Sequence, residues 1–330
     1  MSRAVPALAA TALPVSPGGP ARSAVSLLAE LVHDRAALLS AVFLLALAVA
    51  AVLADIAAPH DPAQQVLRAR LLPPVWLEKG DWRYLLGTDH LGRDVLSRII
   101  HGARASLGIA LWAVGLSAAL GVLAGLAAGY LGGRVDAFIM RVVDTQLAFP
   151  DLLLALTVLS VIGATPVTLV VVLAVSGWMV FARMTRGVVV SARQEGYVEA
   201  AELIGCRPWR VILRHILPNL GASLVTLSII ELARVLLAEA ALSFLGMGIQ
   251  PPASSWGLDI SLGKAHIFGA WWLVTFPGMA IALTILSANL LAQWVRATLD
   301  AQARDRRAAM VIAARESRRA RRRRWRKALS

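Results

Sequence analysis

Charged residues that interrupt long apolar stretches are the side chains best placed to do chemistry in this sequence. Glu231, Arg234 and Glu239 stand inside one such stretch, where an isolated charge costs at least about 2.5 kcal/mol at a bilayer centre, so each needs a partner. At 100° per residue the three fall within an arc of about 140°, so one helix face can carry them. That face either points at a polar pathway or partner subunit, or forms an ion pair buried between helices. Asp151, directly after Pro150, reads as the start of a helix, and Asp144 as a residue of the cytoplasmic interface. Asp89, His90 and Asp94 are a second group of metal-competent type, yet their spacing matches no standard metal motif and they read as structural. Thr88 or Asp89 can cap the helix that follows, and Asp94 and Arg98 at i, i+4 can pair on its surface. The nearest approach to a phosphate loop, Gly257 to Lys264, has five residues between its glycines instead of four, and Ala265 where Ser or Thr is required. With no G-x-S-x-G, no H-E-x-x-H and no Cys/His cluster, no residue is nominated as catalytic.

The elements that must hold these residues are set by hydropathy. Of 330 residues, 58% are hydrophobic and 16% charged, a composition suited to lipid and not to a soluble domain of this length. The single cysteine, Cys206, allows no intrachain disulfide. Ala36–Ala54 is uncharged over 19 residues, Ala105–Gly133 over 29 and Leu152–Ala182 over 31; about 20 residues cross a bilayer. The third run is too long for one helix, and the turn Gly163-Ala164-Thr165-Pro166 divides it into spans at about 145–163 and 167–187. A fifth span is expected over 220–245 and a sixth over 268–295, giving an all-α membrane protein with about six transmembrane helices.

The net charge of +13 is concentrated at one end, where thirteen of the 33 Lys and Arg lie between Arg296 and Lys327. Next to a last span, such a tail fits anionic headgroups better than nucleic acid, and the positive-inside rule puts both termini in the cytoplasm. Residues 1–30, rich in Ala, Pro, Gly and Ser, read as a disordered extension and lack the compact apolar run of a signal peptide. The first outer loop, 55–104, carries seven basic and six acidic residues, and long loops translocate with little regard to charge. The organisation expected is the extension (1–30), a first span with its outer loop (31–104), a core of five spans (105–300) and the basic tail (301–330).

The cytoplasmic loop between spans four and five, at about 184–219, carries Glu199-Ala200-Ala201, then Gly205, then Leu217-Pro218. Small residues let a short helix seat in another protein's groove, Gly205 permits a sharp turn, and Pro218 ends the segment before the next span. This pattern resembles the coupling loop of ABC importer permeases, which docks on the ATPase; carried over, Glu199, Ala200, Ala201 and Gly205 form the docking surface and Leu217 and Pro218 its exit. Ahead of span two, Gly87-Thr88-Asp89, Gly92-Arg93-Asp94 and Ser97-Arg98 resemble the signature of the dipeptide/oligopeptide/nickel permeases, and specifically their C-type partner. Two stretches agree with it, Glu239 to Gly248 with Ser255-Trp256-Gly257, and Phe276-Pro277-Gly278 with Asn289-Leu290-Leu291. The chain departs from the family pattern at Ser254, where proline is usual, and at Ala292-Gln293, where Gly-Asp is usual.

The resemblance implies a type I ABC importer permease fold in a bacterial inner membrane, importing di- or oligopeptides or a related small solute. It implies as partners a second, B-type permease, two ATPase subunits and an extracytoplasmic solute-binding protein. No cofactor is expected on this chain, ATP and Mg being used by the ATPases. A proton-coupled secondary transporter is the alternative that buried carboxylates also allow, although no inverted repeat is evident and the alternative leaves the coupling loop without a role.

Overall fold

Apolar helix formers without an internal proline wind Arg35–Val52 into α1, whose outward side chains, among them Leu39, Leu45 and Val52, are exposed and need lipid or another apolar surface. The computed structural model describes residues 31–298, in which Arg35–Arg296 is one compact unit. The expected N-terminal extension and the basic tail lie outside the described residues. After the short α2 (Ala54–Ala57), an outer segment runs to Asp94 with one 3₁₀ turn at Leu67–Ala69 and a single bridge between Thr88 and Asp94.

The second span begins ten residues earlier than expected. α3 (Val95–Leu131) has 37 residues, roughly 55 Å at 1.5 Å per residue, and so overshoots the hydrocarbon layer of about 30 Å. Its cap is Asp94, whose side chain accepts from Ser97 N at 3.1 Å, in place of Thr88 or Asp89. Capping at Asp94 is what lets the signature become the first turns of the helix.

The region expected to form a span at about 145–163 contains a sharp break. α4 (Gly133–Leu147) and α5 (Asp151–Ile162) meet at an angle of 87°, because Pro150 has no N–H to continue the ladder and disfavours helical backbone at Phe149. Gln146 secures the break against the neighbouring helix, donating to Val175 O at 2.6 Å and accepting from Trp178 Nε1 at 2.9 Å. The Gly163 turn is where the sequence places it, and a Thr165/Thr168 capping box with Pro166 in the first turn starts α6 (Pro166–Arg193).

Beyond α6 come α7 (Gly196–Leu203), α8 (Pro208–Val211), a π-helical stretch at Ile212–Ile216 and α9 (Leu217–Phe244). Pro218 therefore does not terminate the loop: it sits in the first turn of α9, where its missing N–H is one the helix leaves free anyway. A short α10 (Trp256–Gly263) precedes α11 (Trp272–Thr298). Among the described residues five helices are long and apolar enough to cross a membrane, or six with the bent pair taken as one.

The closest pairing is between α3 and α6. Gly121, Gly125 and Gly129, four residues apart on α3, face Trp178 O, Ala182 O and Val189 of α6, leaving no space for a Cβ. In lipid, where no hydrophobic force pushes helices together, this close approach is a main source of association. A leucine at Gly125, where a Cβ alone would come within 2.6 Å of Ala182 O, is expected to destabilise the bundle by about 1–3 kcal/mol or more. Gly115→Leu, at a position with open space around it, is expected to leave the thermal unfolding of the purified protein unchanged, and equal melting of the two variants would contradict the packing.

Candidate functional site

The outer signature folds into a buried charge network. Asp89 Oδ1 accepts from the amides of Leu91 and Arg93 at 2.8 and 2.9 Å, and its Oδ2 accepts from Arg93 Nε at 2.6 Å. Arg98, expected to pair with Asp94 on the surface, is 3% exposed and turns instead to Asp259 of α10, donating from Nε at 2.9 Å and also from Nη2. Asp89 Oδ2 lies 4.0 Å from Arg98 Nε. Two guanidiniums and two carboxylates thus neutralise one another out of water. Asp94, freed from Arg98, holds Ser97: Ser97 Oγ donates to Asp94 Oδ2 at 2.5 Å and accepts from His60 N at 3.0 Å.

The remaining signature residues shape the backbone around this network. Thr88 Oγ1 donates to Ala69 O and accepts from Leu72 N at 2.9 Å, and Gly87 O accepts from Val95 N at 3.1 Å. Gly92, at φ +77°, lies so close to Val66 O that no Cβ fits. His90 stacks on His266 with centroids 5.8 Å apart. Burial, with help from the nearby Arg93, His266 and Arg98 charges and against the pull of Asp89, holds its imidazole below the ordinary histidine value. Among the described residues no group of three His, Cys, Asp or Glu can hold a metal ion.

Asp259 was not foreseen from the sequence; an acidic residue two positions after the Trp-Gly pair in an apolar outer loop was the available signal. Ser254, a departure from the family pattern, serves the same network: its hydroxyl lies 3.0 Å from Arg98 O and 3.1 Å from Asp259 Oδ2.

The intramembrane charges separate into two sets. Arg234 Nε donates to Glu231 Oε2 at 2.6 Å, and Arg234 Nη1 reaches Asp151 Oδ2 of α5 at 3.4 Å. Glu239 is not part of this set. Fully buried, it accepts from Ser243 Oγ at 2.7 Å, with Ser106 and Ser255 close by. The helical arc places all three on one face, but Glu239 lies five residues beyond Arg234, about one and a half turns at 3.6 residues per turn, and bonds elsewhere.

In the segment expected to dock on an ATPase, α7 is followed by Gly205 at φ +79°, with Cys206 N bonded to Ala201 O at 3.0 Å, the 6→1 bond of a Schellman ending that requires a residue tolerant of positive φ. The helix has two faces. Val198 and Ala201, three apart, pack inward with Val189, Ala192, Val211, Ile216 and Leu220. Ala201 is thus 7% exposed and belongs to the interior rather than to the docking surface expected for it. Outward stand Ala200, Leu203 and Ile204, the last two 81% exposed. Leu217 packs partly against the cluster and Pro218 is exposed.

Removing the Arg98 side chain is expected to destabilise the fold by about 3–5 kcal/mol, because Asp259 is left buried without its counter-charge. The double replacement Arg98→Met with Asp259→Leu is expected to recover most of that loss. Thermal unfolding of the purified variants measures both, and an Arg98→Ala protein as stable as the parent would contradict the network.

Comparison with known proteins places these features in a lineage. The family model of the binding-protein-dependent transport system inner membrane component matches residues 121–305, and that of the N-terminal TM domain of oligopeptide transport permease C matches residues 26–74. The chain is similar to the di/tripeptide transport system permease protein DppC of Pseudomonas aeruginosa, at 40% identity over 268 residues covering 81% of this chain and 88% of that protein. It is likewise similar to the dipeptide transport system permease protein DppC of Escherichia coli, at 41% identity over 268 residues, 81% and 89% of the two chains.

Proposed function

Because the chain belongs to the family of binding-protein-dependent transport system inner membrane components, we propose that it forms half of an ATP-driven import pathway for di- or oligopeptides and is moved through α7 by ATPases on separate subunits. It is a multi-pass inner-membrane protein, and the family match leaves the proton-coupled alternative without support. The relatives' names support the peptide assignment. The partners that follow from this role are a second permease, two ATPase subunits and a solute-binding protein outside the membrane, with ATP and Mg bound by the ATPases. The distribution of arginine supports cytoplasmic placement of both termini.

The observation that carries the coupling role is the two-faced α7. Its outward face exposes Leu203 and Ile204 beside Ala200, apolar surface of the kind that marks a protein contact. Its inward face joins a cluster shared with the last turns of α6 and the start of α9. A push on α7 therefore reaches two spans through packed side chains, and cores of this density transmit displacement instead of absorbing it. The π-helical turn at Ile212–Ile216, where Leu217 N bonds to Ile212 O, lies between the push and α9, a place where such irregular turns often mark functional joints.

Two substitutions test the role. Leu203→Glu puts a charge on the outward face, and Gly205→Val forces a β-branched residue to positive φ, a strain of about 1–3 kcal/mol. Both variants are expected to insert and to pair with the second permease, while ATP hydrolysis stimulated by peptide-loaded binding protein falls to the unstimulated level in reconstituted complexes. Undiminished stimulation in both would refute coupling through this segment.

A further inference from the structure

The Asp151–Arg234–Glu231 relay lies near the middle of the membrane. A Cβ on Gly177 would come within 3.0 Å of Arg234 Nη2, and Gly177 is eleven residues from the start of α6, roughly 17 Å down a helix that crosses about 30 Å of hydrocarbon. Glu231 and Arg234 likewise fall mid-way along the span Leu220–Phe244. Asp151 is the first residue of the half-helix that follows the 87° break. Polar exposure increases along the relay: the side chains are 6% exposed at Glu231, 31% at Arg234 and 44% at Asp151.

Charge and geometry divide the relay unequally. The 2.6 Å bond to the buried Glu231 already neutralises the guanidinium. Asp151 is then a surplus carboxylate, joined to Arg234 by a single contact of 3.4 Å and lacking the shelter Glu231 has. A half-exposed surplus charge at mid-depth cannot face acyl chains, and such residues mark substrate pathways. Broken spans are also where transporters place irregular backbone around a substrate.

We propose that Asp151 is a specificity-determining residue of the translocation pathway, its carboxylate receiving the α-ammonium group of the peptide at mid-membrane while Glu231 keeps Arg234 neutralised beside it. This rests on the peptide-import reading and adds a position and a recognised group to it. When no peptide is present the long contact to Arg234 holds the carboxylate, and an arriving ammonium competes for it. No bond is made or broken in the covalent sense, and the exchange is one ion pair for another.

The test uses the whole transporter, with its second permease, ATPases and binding protein, in proteoliposomes, and measures uptake of a radiolabelled dipeptide alongside ATP hydrolysis. Asp151→Asn is expected to assemble and to keep ATP hydrolysis stimulated by loaded binding protein, while peptide taken up per ATP falls about tenfold, the scale of one charge-assisted hydrogen bond. Asp151→Glu is expected to keep most of the uptake. In a Cys206→Ser background, Asp151→Cys modified with an anionic thiol reagent is expected to regain uptake, and the same variant modified with a neutral reagent is not. Unchanged uptake per ATP in Asp151→Asn overturns the proposal, as does equal recovery with the neutral reagent or a variant that fails to assemble. A parent transporter that hydrolyses ATP but takes up no dipeptide overturns the peptide-import reading itself, which separates the two failures.

Discussion

A charge placed in hydrocarbon must find its neutralising partner within the protein, and this requirement organises the molecule from its outer face to its centre. At the outer end of α3, Arg98 and Asp259 bind residues 161 positions apart and fix α10 against the start of a 37-residue helix. Without that pair neither charge is tolerable where it lies. Deeper in the membrane the same requirement couples α9 to α5 through Arg234. Towards the other end of α6, Arg186 holds Asp136 of α4, with Nη2 to Oδ2 at 2.6 Å, and Arg183 pairs with Asp144. Helices that lipid cannot drive together are thus joined at three depths by ion pairs, and between those depths by the glycine face of α3.

The segment around α7 is held mainly by apolar packing. Val198 and Ala201 tie α7 to α6 and α9, and the Schellman ending at Gly205 turns the chain without lengthening the loop. The exposed Leu203 and Ile204 remain on the far side. An element rigidly attached on one face and apolar on the other is suited to receive force from one body and pass it to another.

Much of this was legible in residue order, and the parts that were not share a cause. Uncharged runs located the spans, and the glycine turn at Gly163 was evident because a local backbone preference dictates it. The breaks and ion pairs were harder. Pro150 signalled a helix start, but the 87° turn depends on Gln146 reaching Val175 and Trp178 on another helix. Asp94 and Arg98 have ideal spacing for a surface pair, and only the arrival of Asp259 from a distant loop diverts the arginine. Ala201 reads as a docking residue from its motif, whereas the 100° step between neighbours puts Ala200 outside and Ala201 inside. Contacts across long sequence separation decide the break and the ion pairs, and helical phase decides which of the two alanines is buried.

If α7 receives force from a separate ATPase, as proposed, the two must lie in contact in the assembled transporter. In a chain carrying Cys206→Ser and Ala200→Cys, a short bifunctional thiol reagent is expected to join residue 200 to an ATPase subunit of the assembled transporter, with a yield that changes when ATP binds. A functional transporter in which residue 200 never crosslinks to an ATPase, at any nucleotide state, would rule out force transfer through α7.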